Sequence, residues 1–152
     1  MAQTMDLLLA ETDGACAYCG NKDNRVLTVH HIHQREPKDE SYDNKIIFCH
    51  NCHQLYHQAK GPSESDIVAI KKRLIQKTLT QQGVNAVKEG CRKGFVVAAP
   101  YLVNHLVELG FMRQTGVLAE MGTADHEQSA VVDAAYELTD AGKALAGKWG
   151  LD

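Results

Sequence analysis

Four cysteines and six histidines crowd between positions 16 and 57 of this 152-residue sequence, and their spacing suits metal chemistry. Cys16 and Cys19 form one Cys-x-x-Cys pair, and Cys49 and Cys52 form a second. A two-residue spacer lets both sulfurs of a pair reach one ion, and four thiolates make a common tetrahedral zinc shell. The 29 residues between the pairs exceed what a plain zinc ribbon uses. A closed four-thiolate shell has no open coordination position, so this site is expected to hold structural Zn2+ whose binding energy serves as folding energy.

The histidines point to different work. His30 and His31 are adjacent, and adjacent residues of a strand face opposite sides, so one can hold a metal while the other faces a different partner. His53 and His57 are four apart, share one face of a helix, and could bind one ion. Asn44 closes a polar loop, where an amide can pin backbone groups. His33 and His50 are read as non-ligands, and the lone Cys91 as a small buried hydrophobe.

The elements that must position these groups can be read from the pattern. A short helix is expected at 3–11 and a metal knuckle at Cys16–Cys19. Arg25–His31 alternates and is partly β-branched, which predicts a strand. Gln34–Asn44 is polar and contains Pro37, so it is a loop. Ile46–Phe48 is a short apolar strand, and His50–Ala59 has helical spacing that ends before Gly61. Lys60-Gly61-Pro62-Ser63 marks the expected domain boundary, giving domains at 1–62 and 63–152.

Taken together, Val29-His30-His31-Ile32, Tyr42-Asp43-Asn44-Lys45-Ile46-Ile47-Phe48-Cys49-His50-Asn51-Cys52-His53 and the later His57 resemble the HNH endonuclease family, including the cysteine pairs found in many members. The resemblance covers roughly residues 14–60. It implies a ββα-metal fold in which His31 is the general base, His30, His53 and His57 ligate a catalytic divalent metal (Mg2+, Mn2+, Ni2+ or Zn2+), and Asn44 braces the loop and helps orient His31. It also implies DNA as substrate, cut to leave 5′-phosphate and 3′-hydroxyl ends. The proline that often follows the His-Ile pair is replaced by His33-Gln34, which affects the exit of the strand more than the chemistry.

Beyond position 63 the composition changes to helix formers. A long helix is expected over 64–80, with Ile67, Ile70 and Leu74 in helical register, then helices at 84–91 and 99–109. Strands are expected at Phe111–Glu120 and Val131–Leu138, around a polar turn at Gly122–Ser129. A last helix should start at the N-cap Thr139. This order, with Tyr136-Glu137-Leu138-Thr139-Asp140-Ala141-Gly142-Lys143-Ala144-Leu145-Ala146, resembles the winged-helix domain of MarR- and PadR-like regulators. The resemblance makes 100–109 a recognition helix with Tyr101, Asn104 and His105 outward, although that helix carries no Lys or Arg.

Net charge is −3 and the pI about 6.2, which is not the profile of a strongly basic nucleic-acid binder. The charge is uneven, however. From Asp66 to Phe95 seven basic residues, among them Lys71, Lys72 and Arg73, face two acids, and phosphate binding depends on such local charge. No apolar run approaches a membrane span, and the N-terminus does not read as a signal peptide, so no membrane partner and a cytoplasmic location are expected. The sequence therefore reads as an α+β, zinc-braced HNH nuclease followed by a winged-helix-like domain, acting on DNA and possible as a homodimer. The alternatives are a non-enzymatic zinc and winged-helix DNA-binding regulator, or a zinc-stabilised interaction adaptor.

Overall fold

The computed structural model describes residues 2–122 and 129–152. The fold is mixed α+β and divides into two compact units, Met1–Thr78 and Leu79–Asp152.

In the first unit, α1 (Ala2–Glu11) precedes two antiparallel strands, β1 (Leu27–His31) and β2 (Lys45–Cys49). Their register pairs Leu27 with Cys49, Val29 with Ile47, His30 with Ile46 and His31 with Lys45. β1 starts two residues later than expected. Asn24–Val26 forms a 3-10 turn because the Asp23 carboxylate accepts the Arg25 N–H at 3.1 Å and caps it. In β2, Ile46, Ile47, Phe48 and Cys49 are all buried, as befits a strand covered on both faces. α2 (His50–His57) follows directly, with Cys49 at its N-cap. The chain then turns past Gly61, where a Cβ would lie 3.0 Å from both Leu55 Cβ and the Tyr56 nitrogen.

That turn was the expected domain boundary, but the first unit runs on to Thr78. The reason lies in α3 (Glu64–Lys93), whose first half contributes to the unit's core. Ile67 packs with Ile32, Ile46, Phe48, Cys16, Cys49 and Cys52. The helix is interrupted at Thr80, whose φ of 63° and ψ of 166° are not helical. Ile67, Lys71 and Ile75, spaced by four, are all buried in this half. Lys71 therefore sits inside the apolar stripe. Its Nζ lies 2.6 Å from Glu11 Oε1 and 3.9 Å from the centre of the Tyr42 ring, and both charged side chains are fully buried. The Tyr42 hydroxyl donates to the other Glu11 oxygen. Burial pushes the Glu11 carboxyl above its ordinary range against the pull of Lys71.

The second unit contains the rest of α3, β3 (Val96–Ala98), α4 (Pro100–Glu108), β4 (Met112–Gly122), β5 (Ser129–Leu138) and α5 (Asp140–Trp149). The sheet order is β3-β5-β4, all antiparallel, with register shifts along β4. Most of the polar turn expected at 122–129 lies outside the described residues. Thr139 caps α5 as expected, accepting the Gly142 N–H at 3.1 Å and donating to the Gly110 carbonyl. Residue 142 must be glycine, because a Cβ there would sit 2.1 Å from the Phe111 carbonyl oxygen. The short strand β3 was not expected. It pairs with β5 as the edge of the three-stranded sheet.

The buried pair in the first unit generates a stability test. Lys71→Met leaves a buried carboxylate without its cation and is expected to cost about 3–5 kcal/mol, whereas Glu11→Leu combined with Lys71→Met removes both charges and should cost far less. Urea unfolding of the single and double variants measures the difference, and equal losses would dismiss the pair as its source.

Candidate active site

Two groups of metal-competent side chains converge in the first unit. Cys16, Cys19, Cys49 and Cys52 place their sulfurs within 4.8 Å of one another, and Cys19 Sγ lies 3.7 Å from Cys49 Sγ. The first pair comes from the knuckle after α1 and the second from the β2–α2 junction, where Cys49 Sγ also accepts the Cys52 N–H at 3.5 Å. Three of the four are buried in the hydrophobic core, and none is disulfide-bonded. Burial works against ionising Cys16, yet N–H groups of Cys19, Cys49 and Tyr18 bring its pKa down to about 7. Burial and the neighbouring thiols push Cys52 upward. Four thiols this close cannot all ionise unless a cation balances them, so the donor set fits a closed zinc site.

The second group joins β1 to α2. Nitrogens of His30, His53 and His57 also lie within 4.8 Å of one another, and the Nε2 atoms of His53 and His57 are 3.1 Å apart. His30 is buried, stacked on Phe48 with ring centres 5.2 Å apart and edge-on to Tyr56 at 4.7 Å. Among the described residues neither of its ring nitrogens has a hydrogen-bond partner. A buried polar atom left unpaired costs about 1–3 kcal/mol, so an imidazole with two such atoms fits a ligand's role better than a core packing role. Burial, with His53, His57 and His31 nearby, lowers the His30 pKa to about 4, and burial also lowers that of His53. Both shifts favour the neutral ring, the form in which an imidazole binds a metal. Three imidazoles leave coordination positions open for water or substrate.

His31 points away from His30, as strand alternation requires, and is partly buried. Its Nε2 lies 3.0 Å from Glu40 Oε1, and Glu40 Oε2 is 2.6 Å from Lys45 Nζ. Asn44 is fully buried. Its Oδ1 accepts the His33 N–H at 2.9 Å, and its Nδ2 donates to the His33 and Asp39 carbonyls at 3.1 and 2.8 Å. The amide thus holds the two ends of the loop, and its bonds go to backbone rather than to the His31 ring. Glu40 was missed by sequence reasoning. One carboxylate in a polar loop carries no spacing signal, and only the fold brings it over β1.

The remaining expectations divide. His33 is exposed and paired with Glu64 at 2.9 Å, and His50 is exposed; neither joins the histidine group. Lys72 and Arg73 are exposed on α3, but Lys71 is not available to a phosphate because Glu11 and Tyr42 enclose it. In the second unit Tyr101, 79% exposed, and Asn104 face outward. His105 turns inward instead, with Nε2 2.7 Å from the Leu79 carbonyl, so its polar tip is engaged by backbone. Cys91, expected to be buried, is exposed.

The two groups should separate on mutation. Cys49→Ser is expected to abolish retention of one Zn2+ and to unfold the first unit. His30→Phe should keep that ion, lose binding of a second, and raise the stability of the chain without the second ion by about 1 kcal/mol, since the unpaired nitrogens go. Metal analysis and thermal unfolding with and without added Ni2+ test this. A His30→Phe protein that is still stabilised by Ni2+ like wild type would refute the second site.

With this geometry in place, the family model for HNH endonucleases matches residues 16–59, a stretch that holds both groups of candidate ligands, His31 and Asn44. No curated protein and no solved structure matches the chain. The match covers less than a third of the sequence, and in that stretch the chain is similar to the HNH endonucleases.

Proposed function

We propose that the first unit is a metal-dependent endonuclease that hydrolyses DNA phosphodiester bonds, with β1, β2 and α2 as a ββα-metal unit. The observation that carries this reading is the convergence of three imidazoles, His30, His53 and His57, with the two buried ring nitrogens of His30 lacking hydrogen-bond partners among the described residues. A core packing role would leave that cost unexplained.

In this reading His30, His53 and His57 hold one divalent ion, which when bound supplies Lewis-acid stabilisation of the phosphate and the leaving oxygen. His31 is the general base that takes a proton from the attacking water. Asn44 fixes the loop between the strands and so the environment of His31. The four cysteines hold a structural Zn2+ that fixes the β2–α2 junction. Lys72 and Arg73 contribute positive charge toward the DNA backbone, and Tyr101 and Asn104 of the second unit offer polar and aromatic contacts to it.

Plasmid cleavage with Mg2+, Mn2+ or Ni2+ is the direct test. Wild type should nick or cut, and His31→Ala should lower the rate by roughly 10²–10⁴-fold while zinc stays bound. A wild type that cuts no nucleic acid with any of these metals, or a His31→Ala protein that cuts equally well, would end the nuclease reading.

A further inference from the structure

Glu40 lies nine residues beyond His31 and is held from three directions. One carboxylate oxygen is 3.0 Å from His31 Nε2, and the other is 2.6 Å from Lys45 Nζ. Lys45 is itself the cross-strand partner of His31, at the end of the β1–β2 ladder, so both donors sit on a fixed frame. The third constraint is Asn44, whose Nδ2 holds the carbonyl of Asp39, the residue just before Glu40. A carboxylate pinned between a lysine and an imidazole accepts from both. The ring proton of a neutral His31 then belongs on Nε2, and the lone pair on Nδ1.

We infer that Glu40 is a positioning residue for His31, fixing the ring as the Nε2–H form so that Nδ1 is the nitrogen presented to a water. The inference rests on the nuclease reading for its consequence, but its geometric half stands apart from it. In the hydrolytic step a water proton passes to Nδ1 and the water oxygen bonds to phosphorus. The bond from phosphorus to the 3′ oxygen breaks, and that oxygen takes a proton from solvent. Asn44 acts on His31 by this route, through Asp39 and Glu40, without touching the ring.

The chemistry of Glu40→Gln makes the test sharp. A glutamine offers one oxygen to two donors. Lys45 carries the full charge and takes it, which turns the amide N–H toward Nε2 and drives the ring proton to Nδ1. Long-range 1H–15N correlation spectra of the zinc-loaded full chain, recorded where His31 is neutral, should show the Nε2–H form in wild type and the Nδ1–H form in Glu40→Gln. The kcat of Glu40→Gln should fall by roughly 10²-fold with KM for DNA nearly unchanged. Glu40→Gln combined with Lys45→Met frees the carbonyl oxygen for His31 and should restore the Nε2–H form. A Glu40→Gln protein that keeps Nε2–H, or that gains Nδ1–H yet turns over like wild type, overturns the inference. A wild type that cleaves nothing while the tautomers shift as expected overturns the nuclease reading instead, and with it any catalytic consequence of Glu40.

Discussion

The side chain of Asn44 has no exposure to solvent, so its hydrogen-bonding groups must find partners within the chain. They find them at both ends of the segment that links β1 to β2: His33 N–H and carbonyl on one side, and the Asp39 carbonyl on the other. The Asn44 carbonyl adds a fourth bond, from Ile32 N–H at 2.8 Å. Each such bond contributes about 1 kcal/mol net, but breaking one and leaving its partner buried costs more. The loop is thereby closed on itself. The turn that presents Asn44, Tyr42–Asn44, is tied down separately by the Tyr42 hydroxyl on Glu11. A helix outside the family-matched stretch thus helps to hold the asparagine inside it.

The two groups of candidate ligands differ as their donors require. Three of the four sulfur-bearing residues lie in the hydrophobic core and Cys19 sits at its exposed edge, a grouping whose negative charge an ion would balance. The imidazoles form a graded set: His30 is buried, His53 half-buried and His57 exposed. That gradient leaves one side of the group toward solvent, the arrangement a reacting metal needs and a structural one avoids.

Much of the first unit was legible because its chemistry is written in local spacing. Two Cys-x-x-Cys pairs and a four-residue histidine step place ligands without knowledge of the fold, and the structure brings both sets together. The departures trace to particular residues. Lys71 reads as a basic surface residue by type, yet its four-residue steps from Ile67 and to Ile75 put it in the buried stripe, and periodicity should have outranked charge. His105 is different: its four-residue step from the exposed Tyr101 reads outward, and the turn inward comes from the bond of its Nε2 to the Leu79 carbonyl. At 60–63, Gly61 and Pro62 do mark a turn, but the first compact unit runs on to Thr78 because the next helix returns Ile67 to the same cluster. Glu40 and β3 were invisible. One depends on loop closure and the other on a strand only three residues long.

One feature of α2 governs how the two groups relate. Cys52 and His53 are consecutive residues of the same two-turn helix, and His57 lies one turn further. Two of the four sulfurs, those of Cys49 at the N-cap and Cys52 in the first turn, lie at the start of that helix. A zinc ion there would therefore act as an index pin: it would decide where both imidazoles point before any second ion arrives. Filling of the histidine group would then be hierarchical. A chain with its thiols unmetallated would spend part of any second ion's affinity on ordering α2, and its apparent affinity would be the intrinsic one multiplied by the fraction of molecules in which the helix is already aligned. Loss of the structural ion would then silence the histidine group without touching a single imidazole.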